Sequence, residues 1–358
     1  MVGLQGRSID QQQAPASNLV FLVDVSGSMG EPNKLPLVKQ SLHLLLDQLR
    51  PTDRVALVTY AGNTAVMLKS TPASDKAIIK SAIDQLGAGG GTAGASGIKL
   101  AYETARTNFM QQGNNRVILC TDGDFNVGLS SEKELVDLID KEKQSGVYLT
   151  VLGFGTGNYQ DGKMQELADR GNGNHAYIDQ IGEAKKVLVK EFVGTLFTIA
   201  KDVKLQLEFN PDQVSAYRLI GYENRMLAKE DFDNDAKDAG ELGAGHTVTA
   251  LYEVIPNVQS GKSGDLVNLK FRYKPPTGEQ ASKLIEQKAP AVCAAKMSDN
   301  FNFASAVAEF GLLLRNSAYK GTSTWEEVIA NASHGLSNDK EGYRAEFVGL
   351  VKMVGSMK

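Results

Sequence analysis

The stretch LVFLVDVSGSM, residues 19–29, decides how the rest of the chain is read. Residues 19–23 are a short unbroken apolar run with β-branched members, the pattern of a strand buried on both faces in the middle of a parallel sheet. Three small oxygen-bearing side chains follow at once on alternate residues, Asp24, Ser26 and Ser28. An apolar strand that delivers clustered oxygens at its carboxyl end suggests a site for a hard cation, because Mg²⁺ takes oxygen ligands in a nearly octahedral shell.

Outward from this stretch, strands alternate with helices. A helix over 34–50 carries Val38, Leu42, Leu45, Leu46 and Leu49 on one face, with Pro51 just past its end. RVALVTY (54–60) reads as a second strand and 65–68 as a short edge strand. Ser74 reads as the cap of a helix bearing Ile78, Ile79, Ala82, Ile83 and Leu86, with Gly87 as its stop. Gly89-Gly90-Gly91-Thr92-Ala93-Gly94 opens a helix to about residue 112. RVILCT (116–121) is a third buried strand, ending in Asp122-Gly123-Asp124. Ser131 and Glu134 form a capping-box pair before a helix to 144. VYLTVLGF (147–154), a short helix over 164–170, a short strand over 176–178 and a long helix over 183–200 complete the unit. The alternation predicts an α/β fold with a doubly wound, mainly parallel sheet over 18–200.

Near Asp202 the period changes. Residues 203–209, 217–221, 247–255 and 266–273 alternate apolar and polar, as half-buried antiparallel strands do. Residues 201–289 are therefore expected as a small antiparallel β-sandwich. Residues 290–358 read as a helical C-terminal segment, with Phe303, Val307, Phe310, Gly311 and Leu314 on one face and a second amphipathic helix over 343–354. Residues 1–17 are an N-terminal extension. Because the two ends of a domain often lie close together, its segment 2–9 is expected to pair with the β-domain as an edge strand.

Composition narrows the functional classes. At 358 residues the chain suits two or three domains. A net charge of −4 and a pI near 5.7 supply no concentrated basic face, which argues against nucleic acid as a partner. The two cysteines, Cys120 and Cys293, make neither a disulfide framework nor a zinc site, and Cys120 reads as a buried small hydrophobe. His43, His175, His246 and His334 are scattered and read as structural. No apolar run approaches the roughly 20 residues of a membrane span, and the first residues show no secretory signal pattern. Neither a base nor a nucleophile sits in a catalytic constellation, so the expectation is a non-enzymatic protein.

In a doubly wound sheet, ligands sit outside the carboxyl ends of the strands. Three loops converge there and all supply oxygens: Asp24, Ser26 and Ser28 from the first, Thr92 from the second, Asp122 from the third. Two carboxylates and three hydroxyls around a divalent ion leave no spare negative charge. If the carboxylates act partly through water, the ion stays electrophilic and prefers an outside carboxylate as its next ligand. Such a site is suited to docking an Asp or Glu of a protein partner rather than to chemistry.

These residues resemble the metal-ion-dependent adhesion site of von Willebrand factor type A domains. The resemblance rests on Asp24-Val-Ser26-Gly-Ser28, Thr92 and Thr121-Asp122-Gly123, in that order and at strand ends. It implies that Asp24 holds the metal through water, that Ser26 and Ser28 bind it directly, and that Thr92 and Asp122 complete the set. Mg²⁺ is the implied cofactor, with Mn²⁺ or Ca²⁺ as substitutes. Further on, RLIGYENR (218–225), GAGHTVTALYE (243–253) and YRAEF (343–347) resemble the YfbK-like bacterial von Willebrand A proteins. That likeness implies a bacterial origin, an export signal upstream and a cell-envelope or periplasmic location, with the cytoplasm as the alternative. Together these imply a Mg²⁺-dependent adhesion or assembly module.

Rival readings of the same residues are weaker. Asp24-x-Ser26 is similar to the nucleophile loop of haloacid-dehalogenase phosphatases, but those need a second carboxylate where Ser26 stands. The run 89–94 lacks the Lys-Ser/Thr ending of a phosphate loop. Asp122, Asp124 and Asn126 start like a calcium loop, yet Val127 occupies the glycine position and Lys133 the place of the bidentate Glu. Asp231, Asp233 and Asp235 read as a solvated acidic loop, with a calcium site as the alternative. Ser28 and Thr92 precede helices, where hydroxyls often only cap. A scaffolding protein of the envelope with a purely structural metal is the main alternative function.

Overall fold

The computed structural model describes residues 1–10, 12–91, 94–123, 132–157, 159–237, 239–257, 264–276, 281–292 and 296–357. After a first strand, β1 (Val2–Gln5), the chain enters β2 (Ser17–Asp24), every residue of which is buried. Leu19, Phe21 and Val23 face one core, while Val20 and Leu22 face another, so both sides of the sheet need a cover. Helices α1 (Leu35–Gln48) and α2 (Lys76–Asp84) supply Val38, Leu42, Leu45, Ile79 and Ile83 to the first face. The strands between them are β3 (Arg54–Tyr60) and β4 (Thr64–Pro72). Helix α3 (Gly94–Thr107) covers the second face with Ile98, Ala101 and Tyr102. Then come β5 (Asn114–Thr121), α4 (Glu132–Lys143), β6 (Val147–Phe154), α5 (Asp161–Arg170) and β7 (His175–Ile178).

The strand order is β4-β3-β2-β5-β6-β7, parallel except for the edge strand β4. From β2 the chain first builds outward through β3 to one edge, then returns to add β5 on the other side of β2. The helices that follow β2 and β5, α1 and α4, therefore pack on opposite faces of the sheet, which makes the carboxyl ends of these two strands its switch point.

Several expected elements differ. The long helix over 183–200 is instead α6 (Ile181–Lys185), a π-turn (Lys186–Lys190) and α7 (Phe192–Leu196). The Glu191 N–H reaches back to the Lys186 carbonyl at 2.8 Å, the widened bond of a π-turn. Helix cannot continue to 200 because Thr198 and Ala200 already pair with Gly243 and Leu242, which takes their backbone into a ladder. Ser74 does not cap α2; its hydroxyl donates to Asp75 Oδ1 at 3.3 Å. The edge strand expected at 65–68 extends over nine residues, because it pairs with β3 along its full length. Ser131, Asp124, Asn126, Val127 and Cys293 lie outside the described residues.

The remaining strands are β8 (Thr198–Phe209), β9 (Val214–Ile220), β10 (Gly240–Gly243), β11 (Thr247–Pro256), β12 (Asp265–Lys274) and β13 (Lys283–Pro290). They form two antiparallel sheets, β10-β8-β12-β13 and β1-β11-β9, in which Val2–Gln5 pairs with 247–250 at an edge. Phe209 of the first sheet lies 4.4 Å from Tyr217 and 5.6 Å from Tyr252 of the second, ring centre to ring centre. The acidic loop turns to this domain: Arg272 reaches Asp233 at 2.8 Å and Asp235 at 3.1 Å. Those ion pairs answer the charge that a calcium ion would have answered.

Three helices end the chain: α8 (Asp299–Leu314), α9 (Trp325–His334) and α10 (Tyr343–Ser356). Ala306, Val328, Ala332, Val348 and Val351 form their core, with Phe303, Phe310 and Leu313 packed against it. Val307 and Leu314, expected on that face, are exposed, because the stripe that meets α9 and α10 runs 303-306-310-313. Helix α9 went unread in the sequence, although Thr324 and Glu327 form a capping box at its start. Among the described residues no helix is long and apolar enough to cross a membrane.

Candidate metal centre

Parallel pairing sets Asp24, at the end of β2, beside Tyr60, at the end of β3. Asp24 is wholly buried. Its Oδ1 accepts the Ser26 N–H at 2.9 Å. Its Oδ2 accepts the Tyr60 hydroxyl at 3.0 Å and the Thr121 hydroxyl at 3.4 Å. Burial raises the pKa of Asp24; the hydrogen bonds from Ser26 and Tyr60 oppose that rise, and the charge of nearby Asp122 adds to it. Tyr60 is itself pushed well above its ordinary value, first by burial and then by the Asp24 charge.

Ser26 and Ser28 stand at a short 3₁₀ turn, Gly27–Gly30, with their hydroxyl oxygens 3.1 Å apart. The first loop is stitched to its neighbours through the backbone. Val25 N–H donates to Tyr60 O at 3.0 Å, Gly89 N–H to Val25 O at 2.7 Å, and Gly27 N–H to Gly90 O at 3.1 Å. The second loop thus runs against the first at Gly90, two residues before Thr92, which itself lies outside the described residues. Asp122 follows β5 and is buried. Gly123 next to it adopts φ +87°, and a Cβ there would come within 2.7 Å of the Tyr159 ring, so the turn has no room for a side chain.

This donor set suits a hard divalent cation. Bonds of about 2.1 Å in an octahedron give ligand–ligand edges of about 3.0 Å, and the Ser26–Ser28 oxygen pair has that spacing. Both oxygens of Asp24 already accept hydrogen bonds, which suits a carboxylate that bears on an ion through water. Among the described residues no three His, Cys, Asp or Glu side chains converge, so the oxygens here are hydroxyls plus two carboxylates. The described members of the expected set, Asp24, Ser26, Ser28 and Asp122, all lie at the carboxyl end of the sheet.

Two participants went unread. Tyr60 had a signal, a polar hydroxyl at the carboxyl end of the strand RVALVTY. Lys34 had none: it read as the first residue of a helix, yet its Nζ donates to Asp122 Oδ2 at 2.8 Å. The histidines whose partners are described bond elsewhere, His43 with Asp84 at 2.9 Å and His175 with Tyr159 at 2.5 Å. Cys120 is fully buried, which pushes its thiol pKa up and leaves it a packing residue.

Comparison with known proteins places these features. The von Willebrand factor type A domain family matches residues 18–191. The family described as "Uncharacterized protein YfbK, C-terminal" matches residues 194–357. The chain is 42% identical to YfbK of Escherichia coli K12 over 369 aligned positions, covering 98% of this chain and 64% of that protein. It is 27% identical to the Synechocystis protein sll0103 over 184 positions, covering 51% of this chain and 42% of that one. It thus spans less than two thirds of the length of either relative. A solved von Willebrand factor type A structure from Catenulispora acidiphila shares the fold at 16% identity and a TM-score of 0.52, over 95% of this chain and 82% of that one. The chain therefore carries a von Willebrand factor type A domain followed by a C-terminal domain of the YfbK family.

Proposed function

We propose that this protein is a divalent-cation-dependent protein-binding module without a catalytic step. Asp24, Ser26, Ser28, Thr92 and Asp122 would hold Mg²⁺, and an Asp or Glu of the partner would complete its shell. The cation would supply a positive charge at which an outside carboxylate can dock. The observation that carries this reading is the Ser26–Ser28 oxygen pair, 3.1 Å apart, on the loop after β2, with the buried carboxylates of Asp24 and Asp122 at the carboxyl ends of the adjacent strands β2 and β5. The domain type supports it, since von Willebrand A domains mediate protein interactions.

Calorimetric titration with Mg²⁺ or Mn²⁺ tests it. Saturable binding by the native chain and its loss in a folded Asp24→Ala variant are expected; unchanged binding in that variant removes the reading. A purely structural metal is the second reading, favoured by the backbone bonds that stitch the first loop to Tyr60 and Gly90. Partner capture that survives EDTA selects it. The envelope location implied by the YfbK-like sequence motifs belongs to the same proposal, and fractionation of a producing bacterium checks it.

A further inference from the structure

Lys34 stands directly before α1, where Ser, Thr, Asp or Asn would normally accept hydrogen bonds from the first turn. A lysine has no acceptor, and its side chain caps nothing. A cation is also poorly placed at a helix N-terminus. The side chain instead runs inward, leaving the residue only 8% exposed, to the buried carboxylate of Asp122. The path is shaped for it. Gly155, at φ +82°, borders the lysine stem, and a Cβ there would come within 2.6 Å of Lys34 Cγ and Cε. The Gly155 carbonyl is held in turn by the Tyr177 hydroxyl. A helix cap is thus given up, and a glycine kept, so that an ammonium reaches one carboxylate of the metal centre.

Resting on the metal-site reading above, we propose that Lys34 is a tethered counter-cation of that centre. When no divalent cation is bound, its ammonium holds Asp122 Oδ2, and a divalent cation binds by displacing it. With Lys34 in place, the two carboxylates present one net negative charge instead of two, which weakens the pull on a divalent ion. Asp122 also keeps a positive neighbour in its buried position, which offsets part of the cost of burying its charge. Lys34 therefore sets the affinity of the site, confining loading to high cation concentration.

Mn²⁺ titration of the full chain, followed by electron paramagnetic resonance and calorimetry, is the test. Lys34→Met should bind Mn²⁺ at least tenfold tighter than the native chain, and Lys34→Arg, which keeps the charge, should not. In the native chain, Mn²⁺ should raise acetylation of Lys34 by N-hydroxysuccinimide acetate severalfold, read by mass spectrometry, as the displaced amine turns outward. A folded Lys34→Met variant that binds no tighter overturns the inference while leaving the metal site standing. If that variant does not fold, unchanged Lys34 labelling overturns it. Absence of Mn²⁺ binding by the native chain and by Lys34→Met alike would instead remove the metal site itself.

Discussion

The Tyr60 hydroxyl donates to Asp24 Oδ2 across 3.0 Å, joining the ends of two neighbouring parallel strands through a wholly buried carboxylate. Parallel register alone brings the two residues level. Tyr60→Phe removes a donor to a buried charge and should cost about 1–2 kcal/mol of stability. Chemical denaturation measures it, and divalent affinity should fall in the same variant because Asp24 loses part of what favours its ionised form.

Arg116 is a second buried charge, on β5 beneath the link between the α/β domain and β8. Its guanidinium donates to Thr150 Oγ1 at 2.7 Å and to the Leu196 carbonyl at 3.0 Å. Burial pulls its pKa down to about 10, and Tyr148 and Glu241 pull the other way. Arg116→Met leaves Glu241 without that charge and should cost about 3 kcal/mol. Adding Glu241→Gln should recover part of the loss, which a double-mutant cycle on melting or denaturant midpoints reads directly.

His175 Nε2 and the Tyr159 hydroxyl are hydrogen-bonded at 2.5 Å, and burial lowers the His175 pKa below the ordinary histidine value of 6.5, against the pull of Asp161 and Asp169. A histidine whose folded pKa is depressed binds its proton more readily when unfolded. Its contribution is therefore intact above pH 6.5 and erodes as the pH falls below that value. The native chain should lose stability between about pH 7.5 and 5.5 faster than His175→Gln; equal slopes in urea titrations at the two pH values would contradict this.

Tyr343, at the start of α10, takes Lys186 and Lys190 of the π-turn over its ring at 5.3 and 5.4 Å. Gln180 and Glu346 add a 3.1 Å hydrogen bond alongside. Tyr343→Ala should cost about 1 kcal/mol through the lost cation–π contacts. Hydrogen exchange should quicken over residues 181–196 and 343–350, while β2 and β5 keep their protection.

Much of this protein was legible in one dimension because strand burial leaves a direct trace. Residues 19–23, 116–121 and 147–154 are apolar with few interruptions since both their faces meet helices, and the oxygens of Asp24, Ser26, Ser28 and Asp122 fall where the first two runs stop. What the linear pattern could not carry was any choice settled by a distant partner. Helix gives way to strand at Thr198 because Gly243 pairs with it; Val307 loses its place in a core because α9 and α10 meet the neighbouring stripe. The metal centre divides the same way. The residues expected to hold the ion were legible in local spacing, whereas Lys34 joined Asp122 only when folding brought two residues 88 positions apart within 2.8 Å, a pairing whose physical reason is the gain a buried carboxylate makes from a positive neighbour.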